Sequence, residues 1–210
     1  MTAADDGAIF DGKSLKGWKA PDMSFWSVRD GAITAESTAE KPCKHNQFLV
    51  WHEEVGDFEL TLKFKLVGGP KANSGVQVRS QVEADGHVKG YQVDMSQPDA
   101  AYLGAVYDER GRKMLALRGQ KTVIQADGKK VSTPLPDADG LLKGYEAGKW
   151  NEYRIHFKGN KLTVKINGKT TSVVIDEQES EREMKGVLAL QMHSGPPMKV
   201  QFKDLKLKKL

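Results

Sequence analysis

The chain has 210 residues, with 32 Lys and Arg against 28 Asp and Glu and a net charge of +4. Charges of both signs are interspersed, which gives little support for a nucleic-acid partner, and no apolar run approaches the ~20 residues that a membrane span requires. Cys43 is the only cysteine, so there is no internal disulfide. An apolar fraction of 39% fits a soluble globular protein, with residues 1–210 read as one domain.

Met1–Asp6 has neither the basic nor the apolar region of a signal peptide. Its small, acidic character suits a mature N-terminus with Met1 added for expression. Asp11-Gly12 predicts a tight turn, because glycine takes positive φ without steric cost, and Leu15 and Trp18 cover a sheet end. Phe25–Val28, the turn Arg29-Asp30-Gly31 and Ala32–Ala35 form a hairpin. Glu36–Asn46 is polar and loop-like. Phe48–Trp51 is a short apolar strand, in which Trp51 is either core or a platform for a sugar ring.

From Phe58 to Leu66 the apolar residues fall on alternate positions, with Glu59, Thr61, Lys63 and Lys65 between them. That is the period of a strand with one buried face. Gly68-Gly69-Pro70 breaks it. Two further strands follow, Asn73–Ser80 and Gly90–Met95. Val76 and Val78 point one way, Gln77 and Arg79 the other; Tyr91, Val93 and Met95 point one way, Gln92 and Asp94 the other. If the two strands are neighbours, one face carries a guanidinium, amides and a carboxylate. Such a face either binds a hydroxyl-rich ligand or is a solvated charge network of the kind antiparallel sheets commonly show to water.

Ala101–Arg112 begins as a strand and ends as a charged segment, with Asp108, Glu109, Arg110 and Arg112 beside Tyr107. It is either a solvated hairpin tip with weak ion pairs or the rim of a sugar site. Thr122–Ala126 reads as a strand and Asp127-Gly128 as a turn, and the stretch around Pro134 and Pro136 to Asp139 reads as loop. Trp150–Phe157 alternates again, which turns His156 to the surface. Leu162, Val164 and Ile166 form the next inward set, Asn167-Gly168 is a strong two-residue hairpin signal, and Thr171–Ile175 completes that hairpin. Asp176–Glu183 is the one candidate for a helical turn or short helix. Gly186–His193 and Lys199–Leu210 are closing strands. No helix long enough for a βαβ crossover separates the strands, so the fold is all-β, two antiparallel sheets packed face to face. There is no HExxH, no clustered His/Cys spacing and no EF-hand loop, so no metal or other cofactor is assigned, although Asp94, His193 and Glu59 have the donor types of an O/N site for a divalent ion. The absence of a Gly-x-Ser-x-Gly elbow and of a P-loop removes the common serine hydrolases and NTPases.

Several short segments together resemble one family. Ile9-Phe10-Asp11-Gly12-Lys13-Ser14-Leu15-Lys16-Gly17-Trp18 is similar to its FxGKxLxGW start, and Trp26–Gly31, Gly56–Leu60, Asn73–Val76, Gly90–Asp94, Trp150–Tyr153 and Leu190–His193 follow in the family's order over nearly the whole chain. The family is DUF1080, the 3-keto-disaccharide hydrolase domain. The resemblance implies a concanavalin A-like jelly-roll sandwich, a bacterial protein that is periplasmic or secreted, an oligosaccharide or glycoside as partner, and cleavage of glycosides oxidised to a ketone at C3. Relatives often carry Glu at the position of Gln92 and Gln at that of Asp94. A 3-ketone acidifies the hydrogen on C2, so a base removes that proton and the C1 substituent leaves by β-elimination, with water addition completing a hydrolysis. Such a site needs a base, a donor or cation at the enolate oxygen and an acid at the leaving oxygen; it does not need the paired carboxylates of ordinary glycosidases.

His193, at a strand end before a Gly-Pro-Pro loop, is the first candidate for acid or base, since imidazole titrates nearest neutrality. Arg79 suits the enolate or a sugar hydroxyl. Asp94 is a base or a hydroxyl anchor. Glu59 is either of these or only a solvent-facing strand residue. Gln77 and Gln92 offer amides to hydroxyls, and Tyr107 and Trp51 offer rings to a pyranose face. The alternative is a non-catalytic, lectin-like carbohydrate-binding module that uses the same polar face.

Overall fold

A computed structural model describes residues 7–98, 101–136 and 140–210. Its strands are β1 (Trp18–Lys19), β2 (Trp26–Arg29), β3 (Ala32–Ser37), β4 (Gln47–Val55), β5 (Phe58–Gly68), β6 (Asn73–Val82), β7 (Val88–Ser96), β8 (Val106–Glu109), β9 (Lys113–Ala116), β10 (Gln120–Ile124), β11 (Lys130–Pro134), β12 (Asn151–Lys158), β13 (Lys161–Ile166), β14 (Lys169–Asp176), β15 (Gly186–Met192) and β16 (Met198–Lys209). They form a seven-stranded sheet in the order β1-β4-β15-β6-β7-β8-β9 and a nine-stranded sheet in the order β11-β10-β14-β13-β12-β5-β16-β3-β2. Neighbours are antiparallel except β10 and β14, which run parallel.

The alternation read in β5 is the alternation observed. Phe58, Leu60, Leu62, Phe64 and Leu66 are buried, and Lys63 is exposed. Each such side chain contributes roughly 1.5–3 kcal/mol of transfer free energy, and a one-residue slip would send all five to water. Ile155 and Phe157 of β12, Val164 and Ile166 of β13 and Phe202 of β16 extend this inner face. Val76, Val93, Leu188 and Leu190 meet it from the other sheet. Asn167 and Gly168 both have positive φ, 46° and 80°, as a two-residue hairpin loop with the right twist requires.

Three local expectations change. The strand expected from Ala101 starts at Val106, after a run of turns. Pro134 lies not in a loop but at the end of β11, an edge strand, where a missing N–H costs no ladder bond; residues 137–139 of that expected loop, like 1–6, lie outside the described residues. Of the helical turn or short helix expected at Asp176–Glu183, the turn is present, closed by the Arg182 N–H to the Gln178 carbonyl at 2.9 Å, and the helix is not.

The departure that matters for function is a bulge in β6. Its pairing with β7 slips between Val78 and Gln81, and Arg79 sits at φ 47°. One extra residue reverses the alternation beyond it. Gln77 stays on the outer face of the seven-stranded sheet, Arg79 is turned inward between the sheets, and Ser80 comes back beside Gln77.

Candidate functional site

The outer face of the seven-stranded sheet carries its polar side chains in rows set by strand register. Ala189 of β15 lies opposite Gln77 of β6, Gln77 opposite Gln92 of β7, Gln92 opposite Tyr107 of β8, and Tyr107 opposite Met114 of β9. One step along, Gly75 lies opposite Asp94, and one further, Asn73 lies opposite Ser96. Where these rows end the surface sinks into a hollow of about 390 Å³ lined by Asn46, Asn73, Gln92, Asp94, Tyr102, Tyr107, Glu109, Met114 and His193. A Cβ on Gly75 would stand 2.6 Å from Cγ and Cδ of Gln92. Only glycine lets the Gln92 side chain lie across β6 there.

Asp94 is held from behind. Its backbone carbonyl accepts from the Tyr153 hydroxyl at 2.6 Å and from the Gly104 N–H at 3.0 Å. Its carboxyl Oδ1 accepts from Gln92 Nε2 at 2.8 Å. Burial pushes the carboxyl up to about 7; the Gln92 donor pulls the other way and the nearby Glu109 charge adds to the rise. Such a group is available as acid or base near neutrality. Burial, then the charges of Glu109 and Asp94, also raise the Tyr107 phenol, which keeps it a hydrogen-bond donor.

His193 stands just past the end of β15. Its Nδ1 lies 2.5 Å from the Ser194 carbonyl. A carbonyl only accepts, so Nδ1 carries the hydrogen and, in the neutral ring, Nε2 is the bare base. Ser194 N–H in turn donates to Asn46 Oδ1 at 2.9 Å, which ties the loop to the start of β4. Glu109 accepts from, or pairs with, His87 Nε2 at 2.9 Å, and the His87 ring packs edge-on against Phe48. Two amides nearby have unmet hydrogen-bonding capacity. Both polar atoms of the Gln191 side chain and Oδ1 of Asn73 are buried without a partner among the described residues, and buried polar groups are rarely left so.

Of the residues singled out in the sequence, His193, Asp94, Gln92 and Tyr107 meet in this hollow. Four do not. Arg79 is fully buried on the inner side: Nε donates to the Gly56 carbonyl at 2.8 Å, Nη1 to the Gly159 carbonyl at 2.7 Å, and Nη2 to Asp57 Oδ1 at 2.6 Å, with the guanidinium 3.7 Å from the Phe157 ring centre. Its donors are spent on turns of the opposite sheet, and the bulge is why. Gln77 is fully buried beneath Gln92 and cannot reach a ligand directly. Trp51 sits on the inner face of β4, packed in the core opposite Trp18. Glu59 faces out from the other sheet, in a recess of about 210 Å³ with Arg154, His156, Thr163 and Lys165. No three His, Cys, Asp or Glu side chains among the described residues come together as a metal site.

The chain matches, over residues 5–208, the model of the 3-keto-alpha-glucoside-1,2-lyase-like domain. It belongs to that family. Solved structures similar to this lyase-like domain include a Parabacteroides distasonis protein provisionally described as a glycosyl hydrolase, 21% identical with a TM-score of 0.63, covering 94% of this chain and 96% of that one. A Bacillus subtilis protein of unknown function with a galectin-like fold is 14% identical with a TM-score of 0.63, covering 93% and 90%. The carbohydrate-binding module CBM66 of Bacillus subtilis is 11% identical with a TM-score of 0.60, covering 92% and 96%. At these identities the likeness bears on the fold alone, a lectin-like sandwich. No curated protein matches the chain.

In and beside the hollow are residues that sequence reasoning passed over. Asn46 lay in a stretch read as loop. Asn73 and Gln191 were noted only as members of strands and of family-like segments. Glu109 was one of four charges in a hairpin tip. Its Arg110 pairs instead across to Glu83 and Asp85 in the turn between β6 and β7, and Arg112, largely buried, pairs locally with Asp108 and also with Asp176 at 2.8 Å. Nothing local in the sequence separated Glu109 from those neighbours; register did, by placing it opposite Gly90 on the same face as Tyr107.

Proposed function

We propose that the hollow binds a glycoside oxidised at C3 and cleaves it by elimination across C1 and C2. The observation that carries this reading is the meeting of a buried carboxyl near neutrality with an imidazole whose Nδ1 is tied down, inside one hollow rimmed by amides and phenols. His193 Nε2 takes the C2 proton. The electron pair passes through the enolate to form the C1–C2 double bond, and the C1–O bond breaks. Asp94, protonated, gives its proton to the departing oxygen. The products are an unsaturated 3-keto sugar and the released alcohol, and water adding across the double bond turns the elimination into a net hydrolysis. With Arg79 turned away, the Tyr107 hydroxyl and the Asn46 and Asn73 amides are the donors for the enolate oxygen. General acid–base groups of this kind contribute about 10²–10⁴-fold each.

The test is a product assay on matched saccharides and aryl glucosides with and without a C3 ketone, with the protein and with His193→Ala and Asp94→Asn. Turnover confined to the ketones, and reduced at least ~100-fold in each variant with the fold intact, is expected. Full activity in both variants removes this assignment. Saturable binding with no product after long incubation favours the second reading, a lectin-like module, which the Asn73 amide on the wall of the hollow, its Oδ1 unpartnered, would serve equally well.

A further inference from the structure

Behind Asp94 a chain of side chains runs from Gln92, on the wall of the hollow, into the buried interior of the sheet. The Ser80 hydroxyl donates to Gln77 Oε1 at 2.7 Å, Gln77 Nε2 to Gln92 Oε1 at 2.9 Å, and Gln92 Nε2 to Asp94 Oδ1 at 2.8 Å. Ser80 and Gln77 are fully buried, Gln92 and Asp94 nearly so. A carboxylate oxygen only accepts, so Gln92 must present its NH2 to Asp94 and its carbonyl to Gln77. Gln77 must then present its NH2 to Gln92 and its carbonyl to Ser80. Each amide fixes the orientation of the next.

We propose that Ser80 and Gln77 are positioning residues that hold the Gln92 amide with its NH2 toward Asp94, committing Oδ1 as an acceptor and confining the exchangeable proton of Asp94 to Oδ2, the oxygen left for the hollow. Protonation of Oδ1 would require both buried amides to turn over together and would leave Gln77 bonded to Ser80 through its NH2. There the Ser80 hydroxyl, accepting from that NH2, would have to give up its 2.7 Å bond to Gln77 Oε1 and donate over 3.2 Å to the Val78 or Tyr91 carbonyl, and this poorer set of bonds holds the arrangement in one sense. The β6 bulge makes the chain possible. By turning Arg79 inward it returns Ser80 to the side of Gln77, and Gly75 leaves the space across which Gln92 reaches. The other titratable groups around Asp94 are Glu109 and Tyr107 from β8, Tyr102 from the turn before it, His193 from the end of β15, and Tyr153 of β12 on its backbone carbonyl. None of them donates to Oδ1.

This inference serves the catalytic reading, in which Asp94 supplies a proton, but its test reads titration and not turnover, so the two fail separately. The carboxyl carbon of Asp94 is followed by NMR from pH 4 to 9, assigned with Asp94→Asn. Gln92→Met, which removes the donor itself, raises the midpoint by about one unit. Gln77→Met, which only frees Gln92 to turn, raises it by roughly half as much, and Ser80→Ala raises it least. In the unaltered protein the side-chain NH2 signals of Gln92 and Gln77 move with the midpoint of Asp94. This last readout needs no variant to fold. A Gln77 signal flat through that range, or a Gln77→Met midpoint equal to wild type while that of Gln92→Met moves, would show that Gln77 merely fills space and would overturn the proposal. A Gln92→Met midpoint equal to wild type would overturn it as well.

Discussion

On either side of β6 the sandwich buries polar side chains, and it treats the two sets differently. On the inner side of β6, Arg79 spends its donors on the carbonyls of Gly56 and Gly159 and on Asp57, and lies flat on Phe157. On the outer side, Asp94 is held at a raised pKa, and the Gln191 amide and Asn73 Oδ1 have no partner. Both regions are desolvated. Only the first is compensated within the protein, which is how a buried ionic group serves as a clamp between sheets. The second keeps polar groups in an unfavourable environment with nothing in the fold to require it, and sites that act on ligands characteristically do this. At β6, then, burial does not distinguish clamp from site, whereas hydrogen-bond satisfaction does.

The largest test of that contrast is the stability cost of Asp94. Its carboxyl titrates at about 7 when folded against an ordinary value of 3.8. Between those values the folded chain keeps a proton that the unfolded chain has released, so stability falls as pH rises from about 4 to about 7 and the penalty is complete above 7. Three units correspond to on the order of 4 kcal/mol. Asp94→Asn does not titrate and fits the same space. In urea melts it is expected to match wild type near pH 3.5 and exceed it by on the order of 4 kcal/mol at pH 8, while losing activity. Parallel curves across that range would mean that Asp94 is solvated and the hollow no different from ordinary surface.

Arg79 should behave in the opposite way. Arg79→Met keeps the length of the chain and its packing on Phe157 but removes the donor to three backbone carbonyls, those of Gly56, Phe157 and Gly159, and to Asp57. A loss of about 3 kcal/mol is expected, with turnover of a 3-keto glycoside per folded molecule unchanged. A variant that stays as stable as wild type yet loses turnover would return Arg79 to the site.

The bulge also explains how far the sequence could be read. Period-2 alternation placed the faces of β5, β12, β13 and β7 correctly, because burial on one side leaves a pattern that every residue of a strand repeats. The hairpin at Asn167-Gly168 was legible because only a few residue pairs accept positive φ twice. Half of the site followed: Asp94, Gln92, Tyr107 and His193 share a hollow. Arg79 did not, because a single inserted residue reverses facing direction and nothing in Val78-Arg79-Ser80 marks the insertion; its φ of 47° belongs to the folded chain. Glu59 went astray for a different reason. Its facing was right, but it belongs to the other sheet, and alternation within a strand says nothing about which sheet the strand joins. Trp51 shows the limit of aromatic chemistry as a signal, since core and sugar platform call for the same ring.

The smallest expected effect probes whether the hollow is one electrostatic environment or several separate groups. Glu109 contributes to the raised titration of both Asp94 and Tyr107, in each case after burial. Glu109→Gln removes its charge but keeps an acceptor for His87, whose Nε2 lies 2.9 Å away. The Asp94 midpoint is expected to fall by a few tenths of a unit, opposite in sign to the changes from Gln92→Met and Gln77→Met, and the Tyr107 phenol should fall with it. Burial is untouched by this substitution, so whatever elevation remains at Asp94 measures desolvation less the opposing pull of the Gln92 donor. If Asp94 moves and Tyr107 does not, the charge reaches the carboxyl along the sheet and not across the hollow, and the case that one ligand would meet all three groups at once is lost.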